Sequence, residues 1–162
     1  MWNQAKKNGD IQKQEHLVKG KPFKKGPTNQ KFADLIFFLP VFFATLIRLL
    51  KDKNITRIVD AQPLSTKALV KAARVVNKFF HRNIRVTKIM TDFPTSDALH
   101  FASSIKNLNK ADKKIFELIS TPPLIENGMS EEEWWLEFFG LELNKANPEN
   151  SQVKYCEFPL RK

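Results

Sequence analysis

Two aspartates and a histidine lie where the sequence predicts strand ends. Asp60 closes the β-branched segment Ile55–Asp60, and Asp92 closes the segment Asn83–Asp92. His100 follows in the loop after the second segment. A histidine near a carboxylate can act as a general base, with the carboxylate fixing its tautomer. Asp92 and His100 are therefore a candidate acid–base pair; the structural alternatives are a turn cap and a packed loop side chain.

The segment between the two predicted strands has the pattern of a helix. Its apolar residues repeat at helical spacing from about Thr66 to Phe80, and Ser65 or Thr66 has a hydroxyl suited to the helix start. Strand, helix and strand form a right-handed unit with parallel strands. In open α/β sheets, ligands bind beyond the carboxyl ends of strands. We predict a three-layer, Rossmann-like α/β domain with a parallel sheet and additional C-terminal helices.

Four basic residues share one face of that predicted helix. Lys67, Lys71, Arg74 and Lys78 fall within roughly 60° of arc. Such a face is either solvated or binds anions. Few aromatic residues lie among them, which argues against a nucleic-acid stacking platform. Contact with anionic lipid headgroups fits the pattern better.

Charge divides the chain into three parts. The formal charge is +10, from 27 Lys and Arg and 17 Asp and Glu, and it favours anionic partners. Residues 1–31 form a basic, loop-like leader, residues 32–120 a basic α/β core, and residues 121–162 an acidic extension of the same domain. The leader is too polar for a signal peptide. We expect a cytoplasmic protein, peripheral to a membrane, or alternatively one secreted into a host cell.

Several site classes are missing from the sequence. It contains neither a GxGxxG fingerprint nor a GxxxxGK[ST] phosphate loop. A single cysteine, Cys156, excludes an intrachain disulfide and a zinc site built on paired cysteines. We therefore predict no cofactor and no metal.

The longest apolar run extends over Leu35–Ile47, thirteen residues interrupted by Pro40 and Thr45. A membrane-spanning helix needs about twenty apolar residues, so no transmembrane segment is predicted. The run is either a buried helix that packs on the sheet or a patch that enters a membrane surface. We expect Pro40 to kink or restart this helix, and the helix to end near residues 51–54.

The last third of the chain is predicted to be mostly helical. Asn109 is placed to cap a helix over Lys110–Ile119, and Val153–Phe158 is a candidate final strand that would bury Cys156.

Between them, Ser130 and Glu133 form a capping box, and Gly140 is a natural helix stop. Four aromatic residues on this short helix indicate a core face or, if exposed, a partner-binding face: Trp134, Trp135, Phe138 and Phe139.

The two strand-end segments resemble one glycosyltransferase family. Residues 58–64, Ile-Val-Asp-Ala-Gln-Pro-Leu, look like the strand and His/Gln-Pro-Leu turn of the monogalactosyldiacylglycerol synthase-like enzymes, which are relatives of the MurG-type enzymes. The stretch Val86–Phe101, with Thr91-Asp92-Phe93 and His100-Phe101, is similar to that family's Thr-Asp and His-aromatic segment. The match covers roughly residues 35–105, in the acceptor-binding half of a two-domain GT-B fold.

The resemblance implies an enzyme that uses a nucleotide sugar at a membrane surface. Asp92 and His100 would be its catalytic residues, and Gln62, Thr91 and Thr95 would bind the acceptor. The sequence lacks the family's glycine-rich loop, and 162 residues do not hold the donor-binding domain. The expected activity is therefore that of an acceptor half, incomplete by itself.

Two hypotheses of function follow. The first is the acceptor half of a glycosyltransferase that binds a lipid acceptor at an anionic membrane and needs a separate donor domain. The second is a non-catalytic interaction module, such as a secreted bacterial effector, that binds an anionic membrane or a protein partner. Lysine outnumbers arginine 21 to 6, which is typical of AT-rich bacterial genomes. An anionic lipid surface is the partner in the first hypothesis and one of the two partners considered in the second.

Overall fold

The computed structural model describes residues 27–62, 64–90, 94, 102–125 and 128–156. The chain divides into two compact units, residues 1–36 and 37–162. In the first unit the structure describes residues 27–36, which begin a helix. The second unit contains the sheet.

The sheet has four parallel strands in the order of the chain, β1-β2-β3-β4. The strands are β1 (Arg57–Asp60), β2 (Arg85–Ile89), β3 (Phe116–Ser120) and β4 (Val153–Tyr155). Both strands expected from the sequence are present and pair in parallel, as predicted.

Helices connect and flank these strands. They are α1 (Pro27–Lys51), α2 (Thr66–Phe80), α3 (Ala102–Lys106), α4 (Lys110–Lys113) and α5 (Glu131–Phe139), with a 3-10 turn at Pro148–Asn150. Helix α2 joins β1 to β2 over the range that the apolar periodicity predicts. A parallel sheet with flanking helices is a Rossmann-like α/β fold, and this part of the fold prediction is confirmed.

One face of the sheet, here called the core face, carries the hydrophobic core. Val86 is the register partner of Ile58 on one side and Phe116 on the other, and Leu118 is the partner of Val153. Because register partners point to the same face, these side chains form one apolar layer. It packs against buried residues of α2: Val70, Ala72, Ala73 and Val76.

The opposite face, here called the open face, carries the alternate side chains of the strands. These are Arg57 and Val59 of β1, Arg85, Thr87 and Ile89 of β2, Glu117 and Ile119 of β3, and Lys154 of β4. Arg57, Val59 and Arg85 are exposed, whereas Thr87 and Glu117 are buried. This face therefore combines exposed cations with a buried carboxylate.

Strand β3 corrects the helix predicted over Lys110–Ile119. Asn109 does cap a helix, since its side chain accepts from the Asp112 amide at 2.9 Å, but that helix ends at Lys113. Phe116–Ser120 pairs with β2 and β4 instead. A cap determines where a helix begins and not how far it extends, and the two neighbouring strands supply backbone partners for this segment.

Three smaller expectations also change. Helix α1 begins at Pro27, inside the leader predicted to be loop-like, and it continues through Pro40 without restarting there. Ser65 precedes α2 without capping it, and its hydroxyl donates to Asp60 Oδ1 at 2.6 Å. Cys156 is exposed at the end of the short strand β4.

Helix α5 confirms the predicted aromatic core helix. Trp134, Trp135 and Phe139 are buried, and Ser130 and Glu133 form the predicted capping box. The helix ends at Gly140 in the left-handed conformation (φ +62°), as its sequence predicts.

Candidate functional site

Helix α1 exposes an apolar stripe along its length. Leu39, Phe43, Ile47 and Leu50 are 41%, 53%, 52% and 41% exposed, and their spacing places them within roughly 80° of arc. The adjacent side of the helix faces the core through Phe42, Leu46 and Leu49. Among residues 37–51, Leu49 is the one side chain that is buried, so this part of the helix packs on the core along one side and is exposed along the other. We call the four exposed residues the α1 stripe.

The α1 stripe ends beside basic residues. Arg48 and Lys51 lie in the last turn of α1, both exposed, and Lys51 is one turn beyond Ile47 on the same side of the helix. Apolar residues flanked by long basic side chains are the pattern of a helix that lies in a membrane interface. Within the described ranges, no helix combines the length and apolar character required to cross a bilayer.

Arg82 fixes the end of α1 against the rest of the domain. Its guanidinium donates to the carbonyl of Leu49, which has no partner further along the helix, and to the carbonyls of Lys53 (3.0 Å) and Ile55. Because Arg82 directly follows α2 and its cap, the C-terminal ends of α1 and α2 lie close together.

The C-terminal end of α2 adds exposed aromatic residues to this region. Phe79 and Phe80 are both exposed, and Lys78 Nζ lies 5.3 Å from the centre of the Phe79 ring. His81 ends the helix in the left-handed conformation and is exposed. Apolar and basic side chains are therefore mixed at this end of the domain.

The predicted basic face of α2 is divided in the structure. Lys71 Nζ lies 2.6 Å from Asp112 Oδ2 and Arg74 lies 2.9 Å from Asp112 Oδ1, and Asp112 is fully buried. Burial opposes ionisation of Asp112, but hydrogen bonds from Lys71 and Arg74 outweigh it and hold its pKa below the ordinary value. The central pair thus binds a carboxylate of the protein itself, while Lys67 and Lys78 stay exposed.

Sequence reasoning did not identify Asp112 as a partner of α2. The available signal was the Asn109-x-x-Asp112 spacing of a capping box. That spacing indicates where a helix starts, but it does not indicate that Asp112 pairs with residues of α2.

The carboxyl end of β1 holds a closed polar cluster. Asp60 is buried and accepts hydrogen bonds from Ser65 Oγ (2.6 Å), Thr66 Oγ1 (2.7 Å) and the Gln62 amide (2.9 Å). Lys88 Nζ lies 3.3 Å from Asp60 and also donates to the Gln62 carbonyl. Burial lowers the pKa of Lys88, although Asp60 beside it favours the charged form.

The partners of this cluster all come from the β1–α2 turn and β2, so it organises that connection. Gln62 contributes its backbone here, and it is exposed. The described strands also follow chain order without the reversal that creates a ligand crevice in open α/β sheets.

The other predicted site residues, Thr91, Asp92, Thr95 and His100, lie outside the described residues, so the acid–base pair stays a prediction. Between them, Pro94 is buried and its carbonyl accepts from the Leu124 amide at 3.1 Å. Over the described ranges, no group of three or more His, Cys, Asp or Glu side chains is placed to hold a metal ion.

A depression of about 530 Å³ lies beside β4. At its rim the Tyr155 hydroxyl donates to Glu131 (2.7 Å) and accepts from Trp135 Nε1 (3.0 Å), while Lys145 Nζ lies 3.3 Å from Glu131. Burial raises the pKa of Tyr155, with the Glu131 bond acting in the same direction. These polar groups pair with one another, which favours a structural role.

Comparison with known proteins adds no relative: no family model, curated protein or solved structure matches this chain. The class of protein is therefore defined by the fold alone, as a Rossmann-like α/β domain.

Proposed function

We propose that this protein binds anionic membrane surfaces peripherally, through the α1 stripe and the basic residues next to it. The observation that carries the proposal is the exposure of Leu39, Phe43, Ile47 and Leu50 on a helix that ends in Arg48 and Lys51. Contiguous exposed apolar residues with a polar rim mark interaction surfaces. The positive charge beside the stripe favours an anionic bilayer over a neutral partner.

The expected strength is modest. Each half-exposed apolar side chain that enters a membrane interface contributes on the order of 1 kcal/mol. Each basic residue near an anionic surface contributes about 1 kcal/mol more, and this part is screened by salt. Binding should therefore be reversible and weakened, without being abolished, at high salt.

Catalysis by a glycosyltransferase acceptor half remains a second hypothesis that rests on sequence resemblance. Its lipid acceptor, its donor domain and the roles of Asp92 and His100 stay predictions. Membrane binding is common to this hypothesis and to the interaction module.

Cosedimentation with vesicles tests the proposal. The full chain should sediment with mixed phosphatidylcholine–phosphatidylserine vesicles and much less with phosphatidylcholine alone. The double variant Phe43→Ser/Ile47→Ser should lose most of this binding. Leu136→Ser is the matched control, because Leu136 is equally exposed but lies on α5.

Other occupants of the stripe give different results. Equal loss in Phe43→Ser/Ile47→Ser and Leu136→Ser would contradict the role of the stripe. The alternative occupant is a second copy of the chain. In that case the parent chain would not bind vesicles and would form a concentration-dependent dimer in sedimentation velocity. Loss of this dimer in the double variant would overturn the proposal.

A further inference from the structure

A buried carboxylate organises cations on the open face of the sheet. Glu117 is 2% exposed. Its Oε1 accepts from Thr87 Oγ1 at 2.5 Å and lies 3.1 Å from Arg57 NH1, and its Oε2 lies 3.1 Å from Lys154 Nζ. Because an unpaired buried charge is strongly unfavourable, these contacts hold Arg57 and Lys154 close to Glu117.

The pKa of Glu117 agrees with this arrangement. Burial would raise it, but the hydrogen bond from Thr87 and the nearby charges of Lys154 and Arg57 outweigh that effect and lower it. Glu117 is therefore ionised at neutral pH and balances one of its two cationic partners.

The position of Arg57 requires its side chain to cross a strand. Arg57 belongs to β1 and Glu117 to β3, so they are two strand spacings apart, about 10 Å. The Arg57 side chain must extend over β2, between the positions of Arg85 and Thr87. Its guanidinium forms an ion pair with Glu117 through NH1, at 3.1 Å from Oε1. A guanidinium carries five N–H donors, so it can also donate to a bound anion.

Arg85 adds a third cation to the same face of the sheet. It is the register partner of Arg57 on the neighbouring strand, it points to the same face and it is exposed. Among the described residues Arg85 has no acidic partner. Like charges directly opposite one another on neighbouring strands are destabilising. An anion between the two guanidinium groups would remove this repulsion.

The charges and donors indicate which kind of anion fits. Three cations, Arg57, Arg85 and Lys154, face one carboxylate, which leaves two positive charges. Guanidinium groups bind tetrahedral phosphate oxygens in pairs of parallel hydrogen bonds. A phosphate monoester supplies close to two negative charges at neutral pH, whereas a carboxylate or a phosphodiester supplies one.

We propose that Arg57, Arg85 and Lys154 form a binding site for a phosphate monoester group on the open face of the sheet. The site goes beyond the proposed membrane function, because it lies on the strands and does not include the α1 stripe. The phosphate group belongs either to a lipid headgroup such as phosphatidic acid or to a soluble ligand.

The key variant is Arg85→Gln. It removes a cation that holds no buried partner, so the contacts of Glu117 with Thr87, Arg57 and Lys154 stay intact. Lys110→Gln is the matched control, since Lys110 is an exposed cation on α4, away from the open face. Arg85→Lys keeps the positive charge but loses the two parallel N–H donors of the guanidinium group. Substituting Arg57 would unpair Glu117 and is therefore unsuitable.

Inorganic phosphate is the first probe, titrated into the full chain and followed by the NMR signals of the arginine Nε–H groups. The parent chain should bind phosphate with saturation. Arg85→Gln should weaken binding by about tenfold or more, because charge-assisted hydrogen bonds are lost. Lys110→Gln should change it less than about twofold, and Arg85→Lys should lie between. No saturable binding, or equal binding by Arg85→Gln and the parent chain, would overturn the proposal.

Vesicles then distinguish the two sources of phosphate. Phosphatidic acid and phosphatidylserine vesicles are compared at equal surface charge. A preference for phosphatidic acid that Arg85→Gln abolishes supports a lipid headgroup. Saturable phosphate binding without this preference supports a soluble ligand. The membrane proposal fails on a different result from the phosphate proposal. It fails if the Phe43→Ser/Ile47→Ser variant binds phosphatidylserine vesicles as well as the parent chain does.

Discussion

Lys71 Nζ lies 2.6 Å from Oδ2 of Asp112, a carboxylate that the fold buries completely. This ion pair joins α2 to the short helix α4, and Arg74 strengthens it from the next turn of α2. Two of the four cations that helical spacing places on one face are thus structural partners of the protein's own acid. The remaining exposed basic residues, and above all those next to apolar side chains, are better candidates for contact with an anionic surface.

Reversing the charge of Lys71 should destabilise the fold. Lys71→Glu places a carboxylate against buried Asp112, which has a cost of about 2–4 kcal/mol because a buried ion pair is broken and replaced by repulsion. Lys67→Glu, one turn earlier on an exposed position, should change stability by less than about 0.5 kcal/mol. Urea unfolding of both variants measures the difference. Equal midpoints would show that the Asp112 pair contributes nothing to stability.

Vesicle binding should depend on the basic residues of α1 more than on those of α2. Arg48→Glu/Lys51→Glu places acid beside the α1 stripe and should weaken attachment to phosphatidylserine vesicles strongly at low salt. Lys67→Glu/Lys78→Glu removes the same charge from exposed positions on α2 and should have the smaller effect. The same loss in both double variants would mean that net charge alone drives attachment.

Stability should fall in acid because of two buried carboxylates. Asp112 and Glu117 have pKa values below their ordinary 3.8 and 4.5 in the folded protein, so the unfolded chain binds protons more readily. Their contribution is fully present above those ordinary values and is lost as the pH falls through the lower folded-state values. Urea midpoints between neutral pH and about pH 3 should therefore decline.

The variant Glu117→Gln identifies one source of this decline. It should be less stable than the parent at neutral pH and should lose less stability on acidification, because one titrating carboxylate is gone. Glu142→Gln, at an exposed position, is the control and should follow the parent profile. Identical acid profiles for Glu117→Gln and the parent would contradict the assignment.

Gly140 should tolerate a side chain less well than Gly128. Both have positive φ, +62° and +67°, so alanine costs roughly 1 kcal/mol of backbone strain at either position. A Cβ at Gly140 would also lie 2.9 Å from Lys113 Nζ, which donates to the Gly140 carbonyl, whereas a Cβ at Gly128 meets nothing within 4 Å. Thermal unfolding of Gly140→Ala and Gly128→Ala measures the two costs, and a larger loss in Gly128→Ala would contradict the expected order.

The sequence by itself determined the elements whose signals are local. The β1-α2-β2 unit, the capping box of Ser130 and Glu133, and the stop at Gly140 depend on apolar periodicity and on hydrogen bonds between residues a few positions apart. These features were predicted because the interactions that stabilise them lie within one short window of sequence.

Tertiary structure decided the features that join distant segments. Phe116–Ser120 is a strand because β2 and β4 supply its backbone partners, about thirty residues away on either side. Lys71 is a structural residue because the fold brings Asp112 to α2 from 41 positions further along the chain. The cations at Arg57, Arg85 and Lys154 become one cluster only when four strands align, since no spacing in the sequence specifies the register of parallel strands.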